Sequence, residues 1–355
     1  MIGIGRLIYR ATGIMSKKGI MKNCEKIGRT LADEIKAGGG KVEPKRVHEL
    51  LTETLGKKKA AKITITADLD TFKAFAKENM KLSEEIAEMH FNHSKSAVLP
   101  GRNGKALLSL RTNKMSNTEA VNTTSHELEH VFYNTVSTDS AIRRAFMKCI
   151  PKKHLENLQK QHNSHINEIM LNFQGKLIRK SNIGSTSSIL NNFSEHKAGI
   201  EGLLKQTGFE TREQLQDAIR TMIREDVILP YNNKLNYGIL KAIRRAIQDE
   251  ARAYKVGGRA LRNFSQNENI SNSEMIGQLY DEAAIVLKGE IKNQKKNRWR
   301  KLFGKPQIDY HMEKPIIVSK GEFKHFLKAE TAAPENVPEA IKDAFKALEK
   351  APDCK

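Results

Sequence analysis

The sequence predicts an α+β fold that is predominantly helical and contains one small mixed β-sheet. Two observations predict the sheet: residues 62–66 alternate apolar and polar side chains, and residues 97–110 hold two apolar runs on either side of a Pro-Gly turn. A third observation predicts the helical majority, because apolar residues recur at helical spacing through most of the remaining chain. With 355 residues, the chain is long enough for one large domain or two modest ones.

Composition and charge narrow the class of protein. Hydrophobic residues make up 39% of the chain, and no apolar stretch approaches the roughly 18 residues of a membrane helix, so we expect a soluble protein without an integral membrane segment. The three cysteines, Cys24, Cys149 and Cys354, are too far apart for a Cys-x-x-Cys metal site and odd in number for a disulfide framework. The net charge of +20 favours attraction to an acidic partner or to nucleic acid through a basic surface.

The N-terminal region is basic, with five Lys or Arg residues and no acidic residue before Glu25. Its apolar residues are scattered and form no continuous hydrophobic region, so we expect a cytoplasmic protein, or one exported as an effector without a Sec-type signal peptide. Three regions are predicted. A basic helical N-terminal segment covers residues 1–60, a central domain covers 61–265 with a helical insertion at about 140–230, and a basic helical C-terminal extension covers 266–355.

The predicted strand at the start of the central domain is followed by two short helices, at residues 70–80 and 83–90. The second helix begins where Ser83 can cap its free N–H groups. Residues 97–99 and 106–110 then form the two arms of a β-hairpin around the turn residues between them.

A long helix is predicted directly after the hairpin, at about residues 117–134. A Ser-x-x-Glu capping box begins at Ser116, and apolar residues follow at helical intervals. A second long helix is predicted at about residues 237–256. Gly257 and Gly258 should end it, because glycine readily takes the left-handed conformation of a helix C-cap.

The segment His126-Glu127-Leu128-Glu129-His130 lies within the first of these long helices. Side chains four residues apart share a helix face, so His126 and His130 can present two imidazole nitrogens to one metal ion. Glu127 projects beside them, where a carboxylate can take a proton from a zinc-bound water. The pattern predicts a catalytic Zn²⁺ site. Two exposed histidines on a surface helix are the alternative interpretation.

A catalytic zinc ion takes a third protein ligand and leaves a fourth position open. Glu250 is the leading candidate because it lies on an apolar stripe of the later helix, where a carboxylate is costly to bury unless it is paired or binds a metal. The stripe consists of Ile243, Ile247 and Tyr254. An ion pair with Arg244 or Arg245 is the alternative role of this carboxylate. Further candidates for the third ligand, in more polar surroundings, are His162, His165, His196 and Glu201. Asp249 is a weaker variant of Glu250 because it points off the stripe.

These residues resemble the gluzincin group of zincin-type zinc metallopeptidases, in which a His-Glu-x-x-His helix is joined by a Glu from a later helix. The resemblance is at motif level and covers about residues 106–134 and 247–260. It implies a zincin-like fold in which a small sheet precedes the active-site helix. The residues that it implies as zinc ligands are His126, His130 and Glu250, with Glu127 as catalytic base. Because His130 and Glu250 are further apart in sequence than in compact members, the segment between them should fold as an insertion.

The resemblance and the residues together predict hydrolysis of peptide bonds in a protein or peptide substrate. Glu127 would activate the water and hand its proton to the leaving amine. Tyr254, one helical turn after Glu250, either stabilises the developing oxyanion or packs in the core. The strand before the active-site helix would bind an extended substrate if it lies at the sheet edge; an inner strand is the alternative. Its residues are Ala106, Leu107, Leu108, Ser109 and Leu110.

The main rival function is binding of nucleic acid or another anionic surface by a basic run near the C terminus. Basic side chains neutralise phosphates and an aromatic ring stacks on a base, whereas an ordinary run of this kind is a solvated helix face. The run consists of Lys292, Lys295, Lys296, Arg298, Trp299, Arg300, Lys301 and Lys305. An inactive zincin-like structural protein is a third possibility.

Overall fold

The computed structural model describes residues 15–38, 40–80, 82–101, 104–136, 177, 193–197, 199–223, 237–265, 269–305, 307–308 and 315–316. The described residues are mostly helical and contain one mixed sheet of three strands, which confirms the α+β prediction. Contacts divide the chain into two units. The first unit consists of residues 1–144, 181–208 and 249–279, and the second of residues 145–180, 209–248 and 280–355.

The described elements follow one another as a helical start, a region of mixed helix and strand, and a helical C-terminal half. The helices are α1 (Lys17–Lys36), α2 (Pro44–Leu55), α3 (Lys57–Ala60), α4 (Leu69–Met80), α5 (Glu84–His93), α6 (Asn117–Val136), α7 (Ile200–Thr207), α8 (Arg212–Ile223), α9 (Tyr237–Ala260), α10 (Arg262–Ser265) and α11 (Asn272–Leu302). The strands are β1 (Ile63–Thr66), β2 (Ser96–Pro100), β3 (Ala106–Leu110), β4 (Phe193–Lys197), β5 (Asn269–Ser271), β6 (Gln307–Ile308) and β7 (Pro315–Ile316). The strands and helices predicted between residues 62 and 134 therefore all form.

The three-stranded sheet has the order β1-β3-β2, so β3 is its central strand. β1 runs parallel to β3 and β2 runs antiparallel to it, with Val98 opposite Leu108. Every residue of β3 is buried. The predicted edge position of residues 106–110 is wrong, because a strand with a neighbour on each side and helices on both faces is apolar along nearly its whole length.

One hydrophobic core joins the N-terminal helices to the sheet and to α6. Its members include Ile20 of α1, Leu51 of α2, Leu108 of β3 and Leu128 of α6, and each of these side chains is 0% exposed. Burial of an aliphatic side chain of this size stabilises the fold by about 1.5–3 kcal/mol. Helices α1, α2 and α3 thus share the core of the sheet and α6.

A smaller core lies on the opposite face of the sheet. Phe72 of α4 and Phe91 of α5 pack with ring centroids 5.3 Å apart, and Leu107 of β3 completes the cluster. Leu107 and Leu108 therefore project to opposite faces, as neighbouring residues of a strand must. Helices on both faces hold the sheet beside α6.

α9 continues through Gly257 and Gly258, so the helix end predicted at this pair is wrong. The two glycines serve close packing instead. A Cβ atom on Gly257 would overlap Asn122 of α6, and one on Gly258 would overlap Glu274 of α11. Ser273 adds a hydrogen bond to Asn122 Oδ1 at 3.2 Å. Because Gly257 has no side chain, α9 packs directly against α6.

The second unit contains α8 and the later part of α11, which are joined by polar contacts. Arg212 donates to both carboxylate oxygens of Glu282 at 2.9 Å, and Gln216 donates to the same carboxylate at 2.7 Å. Most of the insertion predicted at about 140–230 lies outside the described residues, as does the C-terminal extension beyond residue 316. In the described ranges, no helix is both long enough and apolar enough to span a membrane.

Candidate metal centre

α6 carries three of the predicted site residues. The Oγ of Ser116 accepts a backbone N–H from the first turn at 3.2 Å, and this caps the helix as the sequence predicts. Leu128 and Phe132 hold the helix in the core and are both 0% exposed. These anchors fix the rotation of the helix about its axis. The side chains of His126 and His130 remain 17% and 18% exposed.

The three residues predicted as zinc ligands lie together. The Nε2 atoms of His126 and His130 are 3.2 Å apart. Glu250 lies on α9, with its Oε2 3.5 Å from Nε2 of His126 and its Oε1 3.5 Å from Nε2 of His130. Within the described ranges, this is the one group of three or more His, Cys, Asp or Glu side chains close enough to share a metal ion.

The donor atoms fit a zinc ion in both type and spacing. Two imidazole nitrogens and one carboxylate oxygen form a common donor set of catalytic zinc sites, with the fourth position left open. Ligands about 2.1 Å from a tetrahedral ion are about 3.4 Å from one another. The nitrogen–nitrogen separation of 3.2 Å and the nitrogen–oxygen separations of 3.5 Å, one for each oxygen of the Glu250 carboxylate, are close to that spacing.

The charges of His130 and Glu250 stabilise one another. Burial lowers the pKa of His130, but the carboxylate of Glu250 outweighs this effect and raises it to about 10. Burial also raises the pKa of Glu250, but the charges and hydrogen bonds of His130 and His126 dominate and bring it well below its usual range. The cluster therefore holds a carboxylate in contact with a proton on an imidazole, and a metal cation can take the place of that proton.

Glu127 lies beside the histidines and is held by a residue that sequence reasoning missed. The hydroxyl of Ser96, at the start of β2, donates a hydrogen bond to Oε1 of Glu127 at 2.8 Å. This bond fixes the orientation of the carboxylate relative to α6. Ser96 carries no distinctive sequence signal, because its contact depends on the pairing of β2 with β3.

Tyr254 contacts the site through its ring. The centroids of the Tyr254 and His126 rings are 4.7 Å apart, and the ring planes meet at 82°, an edge-to-face contact. Burial raises the pKa of Tyr254, and the negative charges of Glu250 and Glu127 raise it further. The hydroxyl therefore stays protonated at neutral pH and can donate a hydrogen bond.

A buried ion network lies behind His130. The side chain of Glu129 is 0% exposed, and its Oε1 accepts a hydrogen bond from Arg252 Nε at 2.6 Å. Arg252 also donates to Asp249 at 2.6 Å and lies 4.4 Å above the ring centroid of Tyr133. We refer to Glu129, Arg252 and Asp249 as the Arg252 network. Sequence reasoning missed it because Glu129 was the variable position of the motif.

The Arg252 network also settles the place of Asp249 among the candidates for the third ligand, since its carboxylate is paired with Arg252. Glu201 is exposed on α7 and belongs to no group of metal-binding side chains. The side chain of His196 and the whole of His162 and His165 lie outside the described residues. The side chain of Arg244 donates to the carbonyl of Ala284.

The structure places the residues predicted to bind substrate inside the sheet, and it places part of the basic run on the surface of α11. Ala106, Leu107, Leu108, Ser109 and Leu110 form the central strand, so they do not offer a sheet edge; the edge strand that contacts Glu127 is β2. In the basic run, α11 continues to Leu302, and Lys292, Lys295 and Lys296 are exposed. The side chains of Arg298, Trp299 and Lys301 lie outside the described residues.

Comparison with known proteins finds no match: no family model, no curated protein and no solved structure is similar to the chain.

Proposed function

We propose that this protein is a zinc-dependent peptidase of the zincin type, with His126, His130 and Glu250 as the zinc ligands. The observation that carries the proposal is the convergence of two Nε2 atoms and one carboxylate at separations of 3.2–3.5 Å, with Glu127 beside them. When bound, zinc supplies a Lewis acid that polarises a substrate carbonyl and lowers the pKa of a water molecule.

The residues of the chain perform the proton transfers in this proposal. Glu127, oriented by the hydroxyl of Ser96, removes a proton from the attacking water and delivers it to the nitrogen of the leaving amine. Tyr254 keeps its proton, because its pKa is raised, and donates a hydrogen bond to the carbonyl oxygen as that oxygen gains negative charge.

In this proposal the substrate binds along β2, and not along β3 as the sequence predicted. An extended peptide binds most readily at a sheet edge, where it forms main-chain hydrogen bonds as an additional strand. β2 is an edge strand and its Ser96 contacts Glu127, so β2 takes the place that the sequence predicted for β3. A peptide along β2 would pass the proposed base.

Substitution of Glu127 by glutamine tests the function. We expect the purified wild-type protein to bind about one zinc ion per chain and to cleave a fluorescently labelled unfolded protein. Glu127→Gln should keep the zinc and lose about 10²- to 10⁴-fold in cleavage rate, since it removes a general base. Glu119→Gln is the matched control on the same helix, because it removes a partly buried carboxylate that pairs with Lys95 about two turns before Glu127, and it should leave cleavage unchanged.

Two outcomes contradict the peptidase proposal. If metal analysis finds no zinc after incubation with added zinc, the proposed metal centre is wrong. If Glu127→Gln cleaves the substrate as fast as wild type, Glu127 is not the base. Zinc binding without cleavage of any protein substrate supports the inactive zincin-like structural protein.

A second candidate function has one observation in its favour. Lys292, Lys295 and Lys296 are spaced by three and one residues, so these exposed side chains form a stripe on one face of α11. Such a stripe can follow a phosphate backbone. Binding to a generic DNA duplex should then weaken steeply with added salt, and the triple substitution of these lysines by glutamine should remove it.

A further inference from the structure

His130 has a second ring nitrogen that the metal centre does not use. Its Nε2 faces His126 and Glu250, so Nε2 is the atom available to a metal ion. A neutral imidazole that offers Nε2 carries its proton on Nδ1, and this N–H needs an acceptor. The acidic group next to it is Glu129, whose Oε2 lies 3.9 Å from Nδ1.

Glu129 has a carboxylate oxygen that needs a hydrogen-bond donor, just as the Nδ1–H of His130 needs an acceptor. The Glu129 side chain is completely buried, and among the residues that the structure describes Oε2 has no hydrogen-bond partner. A buried carboxylate oxygen without a donor is unfavourable, and such an atom next to a functional group indicates a role that is completed in another state of the site. The other oxygen, Oε1, is already bound by Arg252.

We propose that Glu129 is a positioning residue for His130: its Oε2 accepts the Nδ1–H hydrogen bond and holds the ring in the tautomer that offers Nε2 to zinc. This inference rests on the metal centre of the proposed function. The observed separation of 3.9 Å is about 1 Å longer than a hydrogen bond. The proposal therefore predicts that the His130 ring turns when a metal ion binds, so that this distance becomes a hydrogen bond.

Arg252 extends the positioning from one helix to the other. It lies on α9 two residues after Glu250, and its guanidinium binds Glu129 of α6 and Asp249 of α9. It also stacks on Tyr133 of α6. The two helices that carry the zinc ligands are therefore joined by one rigid, planar group directly behind the ligands. Carboxylate partners of this kind fix the orientation of metal-binding histidines and raise their basicity.

Glu129→Gln tests the proposal, with Glu274→Gln as the matched control. In the first variant Arg252 keeps the amide oxygen turned toward itself, so the amide NH₂ faces Nδ1–H and two donors meet. Zinc affinity, measured by competition with a chromophoric chelator, should fall about 10- to 100-fold. The visible spectrum of the Co²⁺-substituted protein should also change, since the spectrum reports ligand geometry. Glu274 is another buried carboxylate of the first unit, paired with Arg259 and Arg262, and its variant should bind zinc within about twofold of wild type.

The outcomes separate this inference from the proposed function. If wild type binds zinc and Glu129→Gln binds it equally well with the same Co²⁺ spectrum, Glu129 does not position His130, and the peptidase proposal stands. If wild type binds no zinc, both fail. Should Glu129→Gln unfold at the assay temperature, nuclear magnetic resonance of ¹⁵N-labelled histidine in zinc-loaded wild type decides: a slowly exchanging Nδ1–H on His130 supports the proposal, and an unprotonated Nδ1 overturns it.

Discussion

Glu129 and Glu274 are both buried glutamates of the first unit, and arginines from α9 or α10 pair with each of them. Glu274 receives a complete set of bonds: Arg262 donates to both of its oxygens at 2.8 and 3.0 Å, and Arg259 adds a longer contact of 3.4 Å. Glu129 receives bonds on one oxygen only. A buried carboxylate whose two oxygens both accept hydrogen bonds stabilises a fold. A buried carboxylate with one unpaired oxygen can accept a hydrogen bond from a further partner.

The two sites also differ in charge. Glu274 faces two arginines, each about one-third exposed. In the Arg252 network the ratio of arginines to carboxylates is reversed, because one arginine faces two carboxylates. The side chain of this arginine is 10% exposed. When both carboxylates are ionised, the network carries one net negative charge beside the histidines, which attracts a metal cation. The same residue types thus form a structural contact in one place and, in our proposal, support a metal centre in the other.

The sharpest test of this comparison is the loss of a ligand. Zinc sites bind with about 10–16 kcal/mol in total, so one of four positions accounts for about 3 kcal/mol, or about a hundredfold in affinity. Glu250→Ala should lose about that much zinc affinity in a chelator competition assay. The same assay on Glu274→Ala should give the wild-type value; a comparable loss there would show that zinc affinity reports general folding.

Glu274→Ala should instead reduce stability. Removing one partner of a buried ion pair costs about 3–5 kcal/mol, and the partial exposure of Arg259 and Arg262 reduces this to about 2–3 kcal/mol. Urea unfolding of the metal-free protein measures the loss. A variant as stable as wild type would contradict the structural role assigned to Glu274.

Arg252→Lys tests the planar group that joins the two helices. A lysine keeps the charge but cannot bind two carboxylates in one plane or stack on Tyr133 in the same way. We expect zinc affinity to fall by about tenfold, the lower end of the effect of such supporting residues. Arg262→Lys is the corresponding substitution at Glu274 and should leave zinc affinity unchanged. Equal affinities for both variants would remove the distinction between the two networks.

Ser96→Ala should have the smallest effect. It removes one hydrogen bond to the Glu127 carboxylate, and water can replace this bond in part because the site is open, so we expect a loss of about 1 kcal/mol, or about fivefold in kcat/KM for a labelled protein substrate. Zinc affinity should not change, because Ser96 contacts no ligand. A fall in zinc affinity would place Ser96 in the Arg252 network's supporting role and not in the orientation of the base.

Local sequence patterns predicted much of the fold and the centre of the site. The capping box and the i, i+4 histidines are properties of one helix, and Glu250 was found because a carboxylate on an apolar stripe requires a partner. The central position of β3 was missed because its second neighbour is β1, whose Ile63 pairs with Ala106, 43 residues later in the chain. The Arg252 network was missed because the residues that it joins are 123 positions apart, and single-sequence patterns carry no information at that distance.

Gly257 shows how a residue outside the site can determine whether the site exists. It lies about two turns beyond Glu250, and the residue that it meets, Asn122, lies one turn before His126. A Cβ atom at this position would lie 2.1 Å from the side-chain oxygen of Asn122 and 2.9 Å from its backbone carbonyl oxygen, so the backbone of one helix would have to shift. Zinc bonds tolerate deviations of only about 0.2 Å. Three donor atoms on two helices can be in register for one ion only if the helices touch. In the proposed metal centre, the spacing of the donor atoms therefore depends on the absence of a side chain at residue 257, and we expect Gly257→Ala to weaken zinc binding without altering any proposed ligand.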